Sequence, residues 1–178
     1  MMKKILLFSL LFISSISSAK SSAIYEKLHH AKSAKPTAIL EKVENKYKSE
    51  AVIVEFELEF EKGKTTYEVT LYQANRNRFI ELLLDKDGDL IELEYEAPEL
   101  DEQEEIAAAD IMQKKGYTMQ LLVAKLNDSS EHYLIEAQLE QDMGITYMVA
   151  TFVNERGRHK KAIDLTTGKD LPLLRWGN

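Results

Sequence analysis

The side chains that could carry chemistry in this 178-residue sequence are four histidines and thirty carboxylates. His29, His30, His132 and His159 include no His-Glu-x-x-His motif, the spacing that puts two zinc ligands on one helix face. The sequence also has no Gly-x-Ser-x-Gly motif, which presents a nucleophilic serine. The absence of cysteine excludes thiol catalysis and thiolate metal sites. The sequence therefore predicts no catalytic residues, no metal ligands and no cofactor, and we expect that the protein is not an enzyme.

Three aspartates, Asp85, Asp87 and Asp89, surround Gly88 in a spacing similar to a calcium-binding loop. An EF-hand loop has glycine at its sixth position and glutamate at its twelfth, whereas glycine is fourth here. Asp-Gly is also the preferred pair of a tight β-hairpin, because both positions tolerate positive φ. A hairpin turn is therefore the favoured interpretation.

Glutamates recur at every second position in the first half of the sequence. Apolar residues alternate with them from Val52 to Glu61, which is typical of a strand with one buried and one exposed face. A solvated surface is the favoured interpretation, and an anionic surface for a basic partner or for divalent cations is the alternative. Like charges placed side by side are mildly destabilising, which gives the functional alternative some support. The glutamates expected on the exposed face are Glu55, Glu57, Glu59, Glu68, Glu92, Glu94 and Glu96.

The elements that must position these glutamates are a helix and four antiparallel strands. The helix is predicted to begin after Pro36, with Ile39, Leu40, Val43 and Tyr47 on its apolar side. The alternation from residue 52 to residue 96 predicts the strands, and Asp87-Gly88 predicts the last hairpin. The expected arrangement is therefore a helix packed on an antiparallel sheet.

The sequence is similar to itself at a spacing of about 80 residues. Tyr67-Glu68-Val69 aligns with Tyr147-Met148-Val149, and the turn of Asp85 and Gly88 aligns with that of Asp164 and Gly168. A second helix is predicted to end at Gly116, and strands are predicted at 119–126, 133–140, 145–154 and 159–165. We therefore expect two tandem units of one α+β fold, each a helix on a three- to four-stranded antiparallel sheet.

Each predicted unit resembles a PepSY domain. The resemblance rests on the Tyr-x-Val motifs at Tyr67 to Val69 and Tyr147 to Val149, each followed by an aspartate–glycine turn. It covers residues 37–96 and 105–174, although the first turn departs from the family's threonine–glycine form. The resemblance implies an extracytoplasmic, noncatalytic module that binds or restrains peptidases. It also implies structural roles for the matched residues, with each tyrosine in the core and each aspartate holding a hairpin.

The two predicted units differ on their outer faces. The alignment places Met148, Ala150 and Phe152 where the first unit has Glu68, Thr70 and Tyr72, so the second sheet is expected to be apolar on both faces. Such a face must be covered by the other unit, the leading helix, a second protomer or a partner protein. Packing between the units is the favoured cover. Trp176 is expected to extend this possible interaction surface, and Glu55, Glu57 and Glu59 form the acidic counterpart.

The first 19 residues have the pattern of a secretory signal peptide. Lys3 and Lys4 precede an apolar run that is too short to cross a bilayer, and small residues end at Ala19, with Ala23 as a second possible cleavage site. Without cysteine there is no site for lipid modification, so no stable membrane anchor is expected after cleavage. Loss of Lys3 and Lys4 would change the net charge from −7 to about −9, which disfavours binding to nucleic acid.

These observations predict a periplasmic or secreted protein. The expected organisation is a signal peptide (1–19), a leading helix and linker (20–36), one unit (37–96), a linker (97–104) and a second unit (105–178). The expected function is that of a noncatalytic binding or regulatory module that restrains a peptidase or an envelope signalling protein. The alternative is a cation-responsive envelope protein that uses the acidic sheet face. The sequence leaves the oligomeric state open.

Overall fold

The structure is a computed structural model, and it describes residues 18–30, 34–61 and 64–172. The predicted signal peptide up to residue 17 and Trp176 lie outside the described residues. The described chain is α+β, with four α-helices and one antiparallel sheet of eight strands. The helices are α1 (Ser18–His30), α2 (Pro36–Tyr47), α3 (Gln103–Lys115) and α4 (Met119–Leu126). The strands are β1 (Val52–Glu61), β2 (Lys64–Gln73), β3 (Arg78–Asp85), β4 (Leu90–Glu96), β5 (Tyr133–Asp142), β6 (Ile145–Asn154), β7 (Gly157–Asp164) and β8 (Asp170–Leu171).

One continuous sheet joins the two halves of the chain, in place of the two separate sheets that the sequence predicted. The strand order is β4-β3-β2-β1-β5-β6-β7-β8, so β1 and β5 meet at the centre. Only three residue pairs join them, and Phe56 opposite Ala137 is the middle pair. The buried side chains of both halves form one continuous hydrophobic core.

The two faces of the sheet are defined by the strand register, because residues paired across strands point to the same side. We call the side of Phe56 and Ala137 the inner face and the side of Glu57 and Glu136 the outer face. Helices α2 and α4 cover the inner face, where Lys161 on β7 donates a hydrogen bond to the Leu126 carbonyl of α4 (3.0 Å). Alternation along β1 thus separates apolar and acidic side chains as predicted.

Helices α1 and α3 lie on the outer face. Helix α1 packs against β6 and β7, and its Ile24 lines the same depression as Glu57 and Arg158 of that face. Helix α3 packs against β5 and β1, with Glu104 beside Glu140. The leading helix therefore covers the outer face of the second half, in place of the packing between units that the sequence favoured.

Residues 119–126 form helix α4, and the prediction of a strand there is wrong. The Thr118 hydroxyl caps the helix by accepting a hydrogen bond from the Leu121 amide at 3.1 Å. Four apolar residues recur at helical spacing and are buried on one side. They are Met119, Leu122, Val123 and Leu126. The other predicted helices are confirmed: α2 begins at Pro36, and α3 ends at Lys115 before Gly116, whose φ is 66°.

The alignment of the two tyrosines is wrong by one residue. Asp85 lies opposite Thr66 on β2, whereas Asp164 lies opposite Tyr147 on β6, so the residue that corresponds to Tyr67 is Met148. Because side chains alternate along a strand, a slip of one residue reverses every face assignment. Met148, Ala150 and Phe152 therefore lie on the inner face and are fully buried, not on an exposed outer face as predicted.

Candidate interaction surface

Of the two tyrosines in the predicted family motif, only one lies in the hydrophobic core. Tyr67 is fully buried on the inner face, where its hydroxyl donates to the Ala34 carbonyl at 3.4 Å and burial raises its pKa to about 12. Tyr147 is half-buried on the outer face and donates to Glu140 at 2.5 Å, so its predicted core position is wrong. Val69 and Val149 are both buried, on opposite faces.

Both predicted aspartate turns are present. One carboxylate oxygen of Asp85 accepts hydrogen bonds from the amides of Asp87 and Asp89, each at 2.9 Å. Asp164 accepts from the amides of Thr166 (2.6 Å) and Thr167 (3.1 Å) in the same way. Gly88 and Gly168 both have positive φ, 75° and 67°. Both aspartates therefore stabilise hairpins, and the hydrogen bonds of the Asp85 carboxylate are made within its own turn.

The predicted acidic face is present at the centre of the sheet. Glu57 lies opposite Glu68 on one side and opposite Glu136 on the other, so three carboxylates form a row across β2, β1 and β5. Glu55 lies diagonally beside them, half-buried. Such a row concentrates negative charge on the outer face, which favours cations and disfavours anions.

The raised pKa values of these carboxyls reflect burial and mutual repulsion. Burial first, and the charges of Glu57 and Glu136 second, raise the pKa of Glu55 to about 7. The pKa values of Glu57, Glu68 and Glu81 are also raised, by burial first and by neighbouring carboxylates second. Glu55 is therefore largely protonated below neutral pH, and the accessible negative charge lies further out on the sheet.

The most exposed part of this acidic face is the edge strand β4. Within the part of the chain that the structure describes, no strand pairs with its outer edge, so its backbone N–H and C=O groups on that side are open. Leu90, Ile91 and Tyr95 are about half exposed (49%, 56% and 54%). Carboxylate oxygens of Glu81, Glu94 and Glu96 lie within 4.8 Å of one another. An open edge, exposed apolar side chains and carboxylates thus coincide on one strand.

The opposite edge of the sheet is polar. Strand β8 contains Asp170 and Leu171 only and pairs with just two residues of β7, so within the described residues β7 itself forms the edge from Gly157 to Lys161. Trp176, predicted as part of the interaction surface, follows this edge in the sequence and lies outside the described residues. The exposed apolar side chains of β4, which this part of β7 lacks, favour β4 as the binding edge.

A polar cluster lies where the turn before β5 meets β7, and in it His159 Nε2 is buried without a hydrogen-bond partner among the described residues. Asp128 forms an ion pair with Lys161 (2.7 Å) and lies 3.0 Å from His132 Nδ1. His132 packs edge-on against His159, whose pKa is lowered by burial and by the charges around it. A groove of about 480 Å³ between α2 and α4 has Leu40 and Val123 at its base, both already buried in the core. Sequence reasoning missed this pair of histidines, because the turn that brings His132 beside β7 leaves no periodic signal.

Comparison with known proteins gives a distant structural likeness. No protein-family model matches the sequence, and no curated protein matches it. A crystal structure of a candidate lipoprotein from Clostridium difficile 630 matches with a TM-score of 0.42 and 19% identity, over 82% of this chain and 95% of the other. We assign neither a family nor a function on this likeness. None of the described helices combines the length and the hydrophobicity of a membrane-spanning segment.

Proposed function

We propose that this chain is an extracytoplasmic, noncatalytic binding module that engages a protein partner through the edge strand β4. The observation that carries the proposal is the open seven-residue edge with Leu90, Ile91 and Tyr95 exposed beside it. Addition of a partner strand to such an edge is a common mode of protein recognition, because backbone hydrogen bonds supply affinity and side chains supply specificity. The secretory pattern of residues 1–19 supports a periplasmic or secreted location.

The class of partner follows from the resemblance to PepSY domains. That resemblance implies a peptidase as the partner, which this module restrains, and an envelope signalling protein is the alternative partner. The binding edge could block a peptidase by occupying the site where an extended substrate strand would lie. Purified protein should then slow a protease of its own envelope fraction.

We also propose that the chain contains two copies of one unit, each with two helices followed by four strands. Three observations support a repeat, two of them at a spacing of 81 residues and the third, the aspartate turns of Asp85 and Asp164, at a spacing of 79. Val54 and Ile135 are each the extra residue of a β-bulge, and each bulge lies at the same place in its half. Phe56 and Ala137, which correspond at this spacing, pair with each other at the centre of the sheet. Each third strand ends in an aspartate turn.

A photoreactive residue in β4 tests the binding proposal. Substitution at Ile91 should yield a crosslinked partner in intact cells, identified by mass spectrometry, because this side chain stands beside the open edge. The matched control is the same substitution at Leu121 of α4, which is equally exposed (54%) but lies on the other side of the molecule. Crosslinks only between copies of this chain, or the same adducts from both positions, would rule the proposal out.

A second candidate function is a response to divalent cations. The convergence of Glu81, Glu94 and Glu96 favours it, because carboxylate oxygens are the ligands that Ca²⁺ prefers. A cation that binds only the folded state raises the melting temperature as its free concentration rises above the dissociation constant. A melting temperature that is the same in calcium, in zinc and in chelator would remove this candidate, and Glu94→Gln should abolish any response.

A further inference from the structure

Strand β4 has two chemically different sides, and together they specify what can pair with it. Leu93 lies opposite Leu82 and Tyr95 lies opposite Ile80, so both belong to the inner face. Glu94 lies opposite Glu81 on the outer face, together with Glu92. A strand added beside β4 would continue both faces, because its side chains alternate in the same way. Its inner-face side chains would therefore meet Leu93 and Tyr95, and its outer-face side chains would meet glutamates.

The outer side of β4 is negatively charged. Burial raises the pKa of Glu81, and the like charges of Glu96 and Glu94 raise it as well. The nearest guanidinium along β3, that of Arg78, lies on the inner face, where it stacks on the Tyr95 ring at 3.7 Å and donates to Gln73. An arriving positive charge would relieve this repulsion.

The β4 strand of a second copy is a poor match for the edge. Antiparallel pairing of two β4 strands about Leu93 would place Glu92 of each copy opposite Glu94 of the other. Like charges directly opposite each other destabilise a strand pair. The glutamates thus act against self-pairing, which is a common use of charge on an edge strand.

Resting on the proposed role of β4 in binding, we propose that its partner is an extended segment of another protein in which basic and apolar side chains alternate. The apolar side chains lie beside Leu93 and Tyr95. The lysines or arginines lie beside Glu92, Glu94 and Glu96. The backbone of the segment pairs with the open edge, and the charge pattern selects it against other extended segments.

Three peptides of nine residues test this pairing on the purified protein. One alternates lysine and valine, a second replaces each lysine by glutamate, and a third has the lysines in one block. We expect the alternating lysine peptide to bind at least about tenfold more tightly than either of the others, since three cross-strand charge pairs add to one another. It should also slow hydrogen exchange of the β4 amides, and its advantage should shrink in high salt.

A variant with reversed charge on β4 tests the same pairing from the side of the protein. The variant Glu92→Lys/Glu94→Lys/Glu96→Lys should prefer the glutamate peptide, whereas the control Glu41→Lys/Asp142→Lys/Glu155→Lys has the same net charge and should keep the lysine preference. The reversed variant should also form a heterodimer with the unsubstituted protein, because Glu92 and Glu94 would then face lysines. Neither protein alone should dimerise.

The outcomes separate this inference from the function on which it rests. If all three peptides protected the β4 amides and bound with equal affinity, the proposed selection by charge would be wrong, but binding at the edge would still be supported. Dimerisation of the unsubstituted protein through β4 would overturn the choice of partner. No protection of β4 by any peptide, together with no partner crosslinked from Ile91, would remove both the inference and the proposed function, and the glutamates would then serve only to block self-pairing.

Discussion

The two halves of the sheet share a strand framework but differ on the outer face. In β3 and β4 this face carries exposed glutamates. In β6 and β7 it carries Val149, Val153 and Ala162, all buried beneath α1. The difference teaches that side-chain composition, at a fixed register, decides whether water or a helix covers a sheet face. The exposed glutamates of β3 and β4 continue to the open edge at β4.

The largest expected effects test which residues of the two halves correspond. Tyr67→Ala and Met148→Ala each remove a fully buried inner-face side chain, and each should lower the free energy of unfolding by about 3–4 kcal/mol. Tyr147→Ala removes a half-buried side chain and should cost only about 1 kcal/mol. Urea denaturation measures all three. Equal losses for the two tyrosines would restore the 80-residue alignment and break the comparison.

Removing an apolar side chain from α1 should weaken the packing of this helix on the outer face of β6 and β7. Leu28 is 8% exposed, and Leu28→Ala should lower the free energy of unfolding by about 2 kcal/mol because it removes apolar contact at the helix–sheet boundary. Increased binding of a hydrophobic dye would report the exposed outer face of β6. Glu26→Ala, an exposed change on the same helix, is the control. An unchanged unfolding curve for Leu28→Ala would show that α1 is not the cover.

The acidic half should carry a pH-dependent destabilisation centred on Glu55. Its pKa is raised from 4.5 in the unfolded chain to about 7 in the folded protein, so the folded state binds the proton more tightly. The destabilisation is absent below pH 4.5, develops between pH 4.5 and 7, and is complete above 7. Glu55→Gln should therefore stabilise the protein by about 1–3 kcal/mol at pH 8 and by almost nothing at pH 4.5.

Urea midpoints across this pH range would measure the effect, with Glu155→Gln at an exposed hairpin as the control. A constant difference between Glu55→Gln and the unsubstituted protein would contradict the assignment. The corresponding residue of the other half, Glu136, accepts a hydrogen bond from the Thr151 hydroxyl at 2.9 Å, so it has a partner that Glu55 lacks in the described contacts. Glu136→Gln should therefore stabilise the protein less.

The smallest expected effects concern the two aspartate turns, where the halves should agree. Asp85→Ala and Asp164→Ala should each lower the melting temperature by a few degrees, because each removes two hydrogen bonds to turn amides. Backbone hydrogen bonds hold both carboxyl pKa values below the usual range. This stabilisation is therefore present above pH 3.8 and is lost as the pH falls further. A loss confined to one of the two variants would show that the turns are not equivalent.

The first half of the fold follows from the sequence, because its signals are strictly periodic. Alternation in β1 and the apolar stripe after Pro36 predict the strand, the helix and the acidic face that the structure contains. In β6, by contrast, apolar residues occupy consecutive positions, so alternation cannot tell which side chain faces inward. A better signal lies in residues 54–59 and 135–140, which match at a spacing of 81 and contain both bulges.

The candidate site could be predicted only in part. The glutamates are visible as a pattern, but the exposure of β4 depends on its place at the end of the strand order. That order depends on the pairing of β1 with β5, two strands that are separated in the sequence by three strands and two helices, and no local pattern encodes such a contact. Helix α4 was missed for a simpler reason, since Met119, Leu122 and Leu126 have helical spacing within a segment short enough to read as a strand.

Helix α1 has a consequence for the order in which the chain assembles. It precedes every other described element, yet its docking site is built by β6 and β7. A chain that emerges from its amino end, as in synthesis, therefore releases α1 long before the strands that receive it exist. We expect α1 to be the last helix to dock, so that chaperones have the longest access to this segment.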